Sequence, residues 1–140
     1  MNVADSNIKA LLQKYKKICV IGLSPDKAKP SHQIPMFMKK QGYEIVGVYP
    51  DTDSSHGIKI YSSLSEVPAE FRKFINVFRA SDRIPEVVED ILNVGNAEVV
   101  WLQLGIKHAF AEAKAEAAGL SVVSDRCLLI EYRNHFQVKD

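Results

Sequence analysis

The stretch from Lys17 to Ser31, KICVIGLSPDKAKPS, constrains this chain more than any other. Ile18-Cys19-Val20-Ile21 is a short apolar run rich in β-branched residues. Its length and continuous apolarity predict a strand buried on both faces. The run stops at Gly22, and the loop behind it carries Ser24, Lys27, Lys29 and Pro30-Ser31. A helical pattern follows. A buried strand, a glycine turn and a helix start make a unit whose backbone N–H groups can meet an anionic ligand. That unit predicts a nucleotide-binding α/β domain.

The flanking segments extend the pattern. Ile8, Leu11, Leu12 and Tyr15 share one helical face, so residues 1–16 are expected to hold a helix, capped by Asp5 or Ser6, that packs on the sheet. Pro35 places the start of regular bonding in the second helix near Ile34, with Lys29-Pro30-Ser31 in the approach, and Gly42 is its stop. Further strands are expected at Tyr43–Tyr49, Phe74–Phe78, Glu98–Leu104 and Leu120–Val123. Between the second and third lie a turn-like stretch from Asp51 to His56, a short extended piece at Ile58–Tyr61, and a loop or brief helix at Ser62–Glu70. Helical stripes at Ile84–Leu92 and about Lys107–Ala118 fill the later gaps. Alternation of this kind predicts a Rossmann-like α/β fold of three layers, with a five-stranded, mainly parallel sheet in the order 3-2-1-4-5. The length of 140 residues suits one domain spanning 1–140.

Composition narrows the partners. The formal net charge is +1, which makes no general electrostatic case for nucleic acid or an anionic membrane. No apolar run approaches the roughly 20 residues needed to span a bilayer. The N-terminus is polar and mixed in charge, unlike a signal peptide, and only two cysteines are present. A cytoplasmic protein with reduced thiols is therefore expected.

Ligands of open α/β sheets sit at the carboxyl ends of the strands, where the strand order reverses. That rule collects Gly22-Leu23-Ser24, Tyr49-Pro50, Phe78-Arg79-Ala80-Ser81, Gln103-Leu104-Gly105 and Asp125-Arg126-Cys127 at one edge. A nicotinamide dinucleotide site would show G-x-G-x-x-G and an acid closing the second strand. Here Ser24 stands where the second glycine belongs, and Tyr49-Pro50 closes the strand. An NAD(P)-binding oxidoreductase or redox-sensing domain using this edge is the alternative reading.

GLSPDKAKPSH, GYEIVGVYP, YSSLSEVP, INVFRAS, VVWLQLG and VVSDRC occur in the order and spacing of the small CoA-binding domain proteins. These are relatives of the N-terminal domain of the succinyl-CoA synthetase α subunit. The resemblance runs from about Lys17 to Arg133 and implies a Rossmann-like protein that binds coenzyme A or an acyl-CoA. On it, Gly22, Leu23 and Ser24 would hold the pyrophosphate, Lys27 or Lys29 would neutralise phosphate charge, and Pro30-Ser31 would shape the loop. Tyr49-Pro50 borders the nucleotide, with Phe78, Arg79 and Ser81 across from it. The chain departs from the family pattern at Tyr49, where asparagine is usual, and at Ala80, where a basic residue or proline is frequent. No acyl-activating chemistry is implied, so no catalytic residue is assigned and a protein partner stays unnamed.

Other chemistry-bearing residues read more plainly. The four histidines lie in separate segments without ligand spacing, so no metal site is expected. No Ser-His-Asp arrangement compels a hydrolase. Cys127 follows the fifth strand among the edge residues, where a redox or thioester role competes with simple packing.

Overall fold

The computed structural model describes residues 3–50 and 54–140; positions 51–53, part of the stretch expected to be turn-like, lie outside the described residues. The parallel strands are β1 (Lys17–Ile21), β2 (Glu44–Val48), β3 (Ile58–Tyr61), β4 (Phe74–Val77), β5 (Val99–Leu102) and β6 (Ser121–Val123). They run in the order β3-β2-β1-β4-β5-β6, and Ser54–Ser55 adds a two-residue antiparallel edge to β3. The Rossmann-like α/β class and the parallel sheet are as expected from the sequence.

The strand count differs from five. Ile58–Tyr61 is a full strand and takes the outer place beside β2, while Phe74–Val77 pairs with the other side of β1. The reason lies in the edge position. Ile58 and Ile60 are each 1% exposed, but Lys59 between them points to solvent, so the segment alternates and lacks the continuous apolar run of an inner strand.

The inner strands alternate their side chains between two cores. Ile18, Val20, Phe74, Val99 and Trp101 face α1 (Asp5–Lys14), α2 (Pro30–Lys40) and α5 (Leu128–His135), and pack with Ile8, Leu12, Met38 and Tyr132. Cys19, Ile21, Ile75, Val77, Val100 and Leu102 face α3 (Ile84–Val94) and α4 (Ala109–Ala117), and pack with Val88, Ile91, Ala111 and Ala115. Cys19 and Cys127 are free thiols in opposite cores, separated by the sheet. The N-cap position of α1 is Ala4, one residue before Asp5 and two before Ser6, the two expected caps.

α2 begins a full turn earlier than Pro35 suggested. Pro30 takes the first helical position, where a missing N–H costs nothing, and Pro35 stands inside the helix. Pro35 cannot donate to the Ser31 carbonyl, so that oxygen is left for another donor. Ser24 N–H supplies it at 3.2 Å. The proline that was expected to delay the helix instead frees the carbonyl that fastens the loop after β1 to it.

Candidate functional site

The turn after β1 is built by close approach. Gly22 has φ +90°, and its N–H donates to Val48 O at 2.8 Å. A Cβ at Gly22 would stand 2.6 Å from Phe78 O, so only glycine fits between β1 and the turn after β4. Leu23 is fully buried over Gly47, where a Cβ would come within 2.9 Å of the Leu23 Cβ. Ser24 is 3% exposed and ties the loop together. Its Oγ accepts from Asp26 N–H at 3.0 Å, and its carbonyl lies 2.9 Å from His32 Nδ1, which carries the proton for that bond. The Ser24 hydroxyl keeps its own proton for one further bond. The N–H groups of Gly22 and Ser24 are both spent within the fold, so the turn acts as a floor, and the helix start beside it presents the polar groups.

Among the described residues, two clefts open along the carboxyl edge of the sheet. The larger holds about 570 Å³ and is lined by Lys29, Pro30, Ser31, Ile34, Phe78, Arg79, Ala80, Gln103, Leu104, Ile106 and Cys127. The smaller holds about 340 Å³ on the α3 side, and Ser62, Ser63, Glu86, Asp90 and Arg79 border it. Arg79 borders both. The fold thus brings Lys29, Pro30, Ser31, Phe78 and Arg79 together around one cavity, with Gly22, Leu23 and Ser24 in the adjoining turn.

Other expected site residues stand apart. Lys27 is exposed, and its carbonyl accepts from the Gln33 side chain at 3.0 Å. Tyr49 donates its N–H to Tyr61 O at 3.0 Å and, with Pro50, lies outside the linings of both clefts. Ser81 works as a latch: its Oγ donates to Gly105 O at 3.4 Å and accepts from Lys107 N–H at 3.1 Å, holding the turns after β4 and β5 together.

Ile34, Gln103, Leu104, Ile106 and Cys127 line the larger cleft but were not among the expected ligand contacts. The switch-point rule had already brought Gln103-Leu104 and Cys127 to this edge. Ile34 lies one helical turn past Pro30, which is a usable signal. For Ser62, Ser63, Glu86 and Asp90 no such signal exists, because the 3₁₀ turn at Leu64–Glu66 and the face of α3 are placed only by packing.

Cys127 stands at the N-cap of α5 and is 9% exposed. Trp101 Nε1–H donates to Arg126 O at 2.8 Å, and Gly105 N–H donates to Asp125 Oδ1 at 2.7 Å, so the turn that carries Cys127 is pinned to β5 and its loop. Burial pushes the Cys19 thiol up to about 12, which leaves it a packing group. His56 meets His32 edge-on at 4.6 Å, and desolvation together with His32 and Lys27 holds it below the usual histidine range. Among the described residues no group of three or more His, Cys, Asp or Glu is gathered to hold a metal ion, and no helix is long and apolar enough to cross a membrane.

The chain was compared with known proteins. It is 35% identical over 131 residues to the uncharacterized protein YneT of Bacillus subtilis (strain 168), covering 94% of this chain and 96% of that one. The structure of cell-free ID.343 from Thermus thermophilus superposes with a TM-score of 0.85 at 30% identity, over 96% of this chain and 100% of that one. Prb, the PH1109 protein redesigned for binding, superposes with a TM-score of 0.87 at 26% identity, over 99% and 98%. The family model described as CoA binding domain matches residues 16–133. With that match over most of its length, the chain belongs to the CoA binding domain family.

Proposed function

We propose that this protein binds coenzyme A or an acyl-CoA at the carboxyl edge of its sheet, as one binding unit over residues 1–140, without catalysis of its own. The observation that carries this reading is the cleft of about 570 Å³ that joins the start of α2 to Phe78 and Arg79, in a chain of the CoA binding domain family. Lys29 and Ser31 stand at the N-terminal turn of α2, where the helix dipole and a cation both favour phosphate. Arg79 offers a planar fork of donors suited to a second phosphate group. Gly22, Leu23 and Ser24 form the floor under the pyrophosphate. Lys27, Tyr49, Pro50 and Ser81 are rim residues. The ligand is a small molecule taken up in the cytoplasm, and neither nucleic acid nor membrane enters the reading.

Calorimetric titration with CoA, dephospho-CoA, acetyl-CoA and NAD tests it. Saturable binding of CoA, tighter than NAD and weakened by loss of the 3′-phosphate, is the expected result. NAD binding well above CoA, or no binding by any of the four, overturns it.

A further inference from the structure

The larger cleft draws its lining from separate parts of the carboxyl edge. Lys29, Pro30 and Ser31 line it from the start of α2, whereas Gln103, Leu104, Ile106 and Cys127 line it from the loops after β5 and β6, two and three strands over from β1. Gln103 is 5% exposed. Its Oε1 accepts from Leu128 N–H at 3.3 Å. A backbone N–H can only donate, so this bond orients the amide with its oxygen toward Leu128. The Gln103 amide nitrogen is left with no hydrogen-bond partner among the described residues. That nitrogen is not sealed inside the protein but reaches the cavity, where an acceptor on a ligand can meet it. A free thiol and an unspent amide donor therefore share the cavity.

An elongated ligand with phosphates at one end and a sulfur at the other fits this arrangement. Resting on the coenzyme A reading above, we infer that the thiol end of the ligand lies beside Cys127, with Gln103 donating to a carbonyl of the ligand's arm, and that Cys127 forms a mixed disulfide with it by exchange with CoA disulfide. The Cys127 sulfur, as thiolate, attacks one sulfur of CoA disulfide. The S–S bond of CoA disulfide breaks as the new one forms. One CoA leaves as thiolate and is protonated, balancing the proton lost from Cys127. The disulfide itself is the oxidant, and dithiothreitol reverses the step.

Intact-mass measurement after incubation with CoA disulfide reads the adduct, and calorimetry with reduced CoA reads binding on the same samples. The expected result is one CoA per chain, one free CoA released per adduct, and full reversal by dithiothreitol. Cys127→Ser and Cys127→Ala lose the adduct, whereas Cys19→Ala, in the opposite core, keeps both the adduct and the binding of reduced CoA. Gln103→Leu slows adduct formation about tenfold, the scale of one hydrogen bond. Glutathione disulfide at equal concentration labels at least tenfold more slowly, because it lacks the nucleotide that fills the other end. Normal CoA binding without an adduct overturns this inference and leaves the binding reading intact. Equal labelling by both disulfides also overturns it, since Cys127 is then only an accessible thiol. Absence of CoA binding in the calorimeter overturns the binding reading as well.

Discussion

Arg79 borders both clefts at the carboxyl edge, on the turn that Phe78 N–H ties to Ile21 O at 2.9 Å. A guanidinium there is placed to choose between the phosphates of a ligand in the larger cleft and the carboxylates of Glu86 and Asp90 around the smaller one. Arg79→Ala is expected to weaken CoA binding by about 1.5–3 kcal/mol, the scale for a hydrogen bond to a charged group, with little change in the melting temperature. Calorimetry and a thermal melt check both halves. Gly22 is tested by stability. An alanine there would need the left-handed backbone and would press its Cβ against Phe78 O, 2.6 Å away. Gly22→Ala is expected to cost about 2 kcal/mol or more, read from urea unfolding.

At the scale of the element, α2 and β1 are joined through a bond that a proline makes available. Pro35 leaves Ser31 O free of a helical donor, and Ser24 N–H takes it. Pro35→Ala restores a competing N–H, so exchange of the Ser24 amide with solvent is expected to quicken by about tenfold, one hydrogen bond's worth, as NMR would show. β1 carries a second consequence. The Cys19 thiol, fully buried in that strand, is raised from 9.0 to about 12 by burial. At the end of α1, Tyr15 is raised from 10.0 to about 12 by desolvation and by its hydrogen bond to Glu98. In both cases the folded chain holds the proton more tightly than the unfolded one. The stability this represents is full below the unfolded pKa and is lost as pH rises toward about 12. The urea midpoint is therefore expected to fall from about pH 9 upward, and in Cys19→Ala the fall is expected to start nearer pH 10.

For the whole molecule, the bound ligand and the fold are linked. A ligand that binds only the native state at a hundredfold excess over its Kd adds about 2.7 kcal/mol to the unfolding free energy. CoA is expected to raise the melting temperature accordingly, and Arg79→Ala is expected to shrink that rise at equal CoA concentration. The two cores on either face of the sheet hold the cleft open. The start of α2, the loops after β4 and β5 and the N-cap of α5 line it, and Ser81 clamps those two loops together.

The sequence alone determined the α/β class, the buried strand before Gly22 and the gathering of polar residues at the strand ends. These follow from local patterning: apolar runs, proline and glycine punctuation, and the rule that parallel strands present their carboxyl ends to ligand. It also carried the CoA-binding resemblance through several motifs in register. Tertiary structure alone decided the rest. Ile58–Tyr61, readable in the sequence only as a short extended piece, became a full strand of the sheet because β2 offered it an edge. The start of α2 was settled by Ser24, seven residues away in sequence from Ser31, taking the carbonyl that Pro35 could not use. Gln103 and Cys127 belong to separate strand ends, and only the packing of α5 against the sheet sets the amide of one and the thiol of the other around the same cavity. Such contacts depend on distances between segments far apart in the chain, which no local pattern encodes.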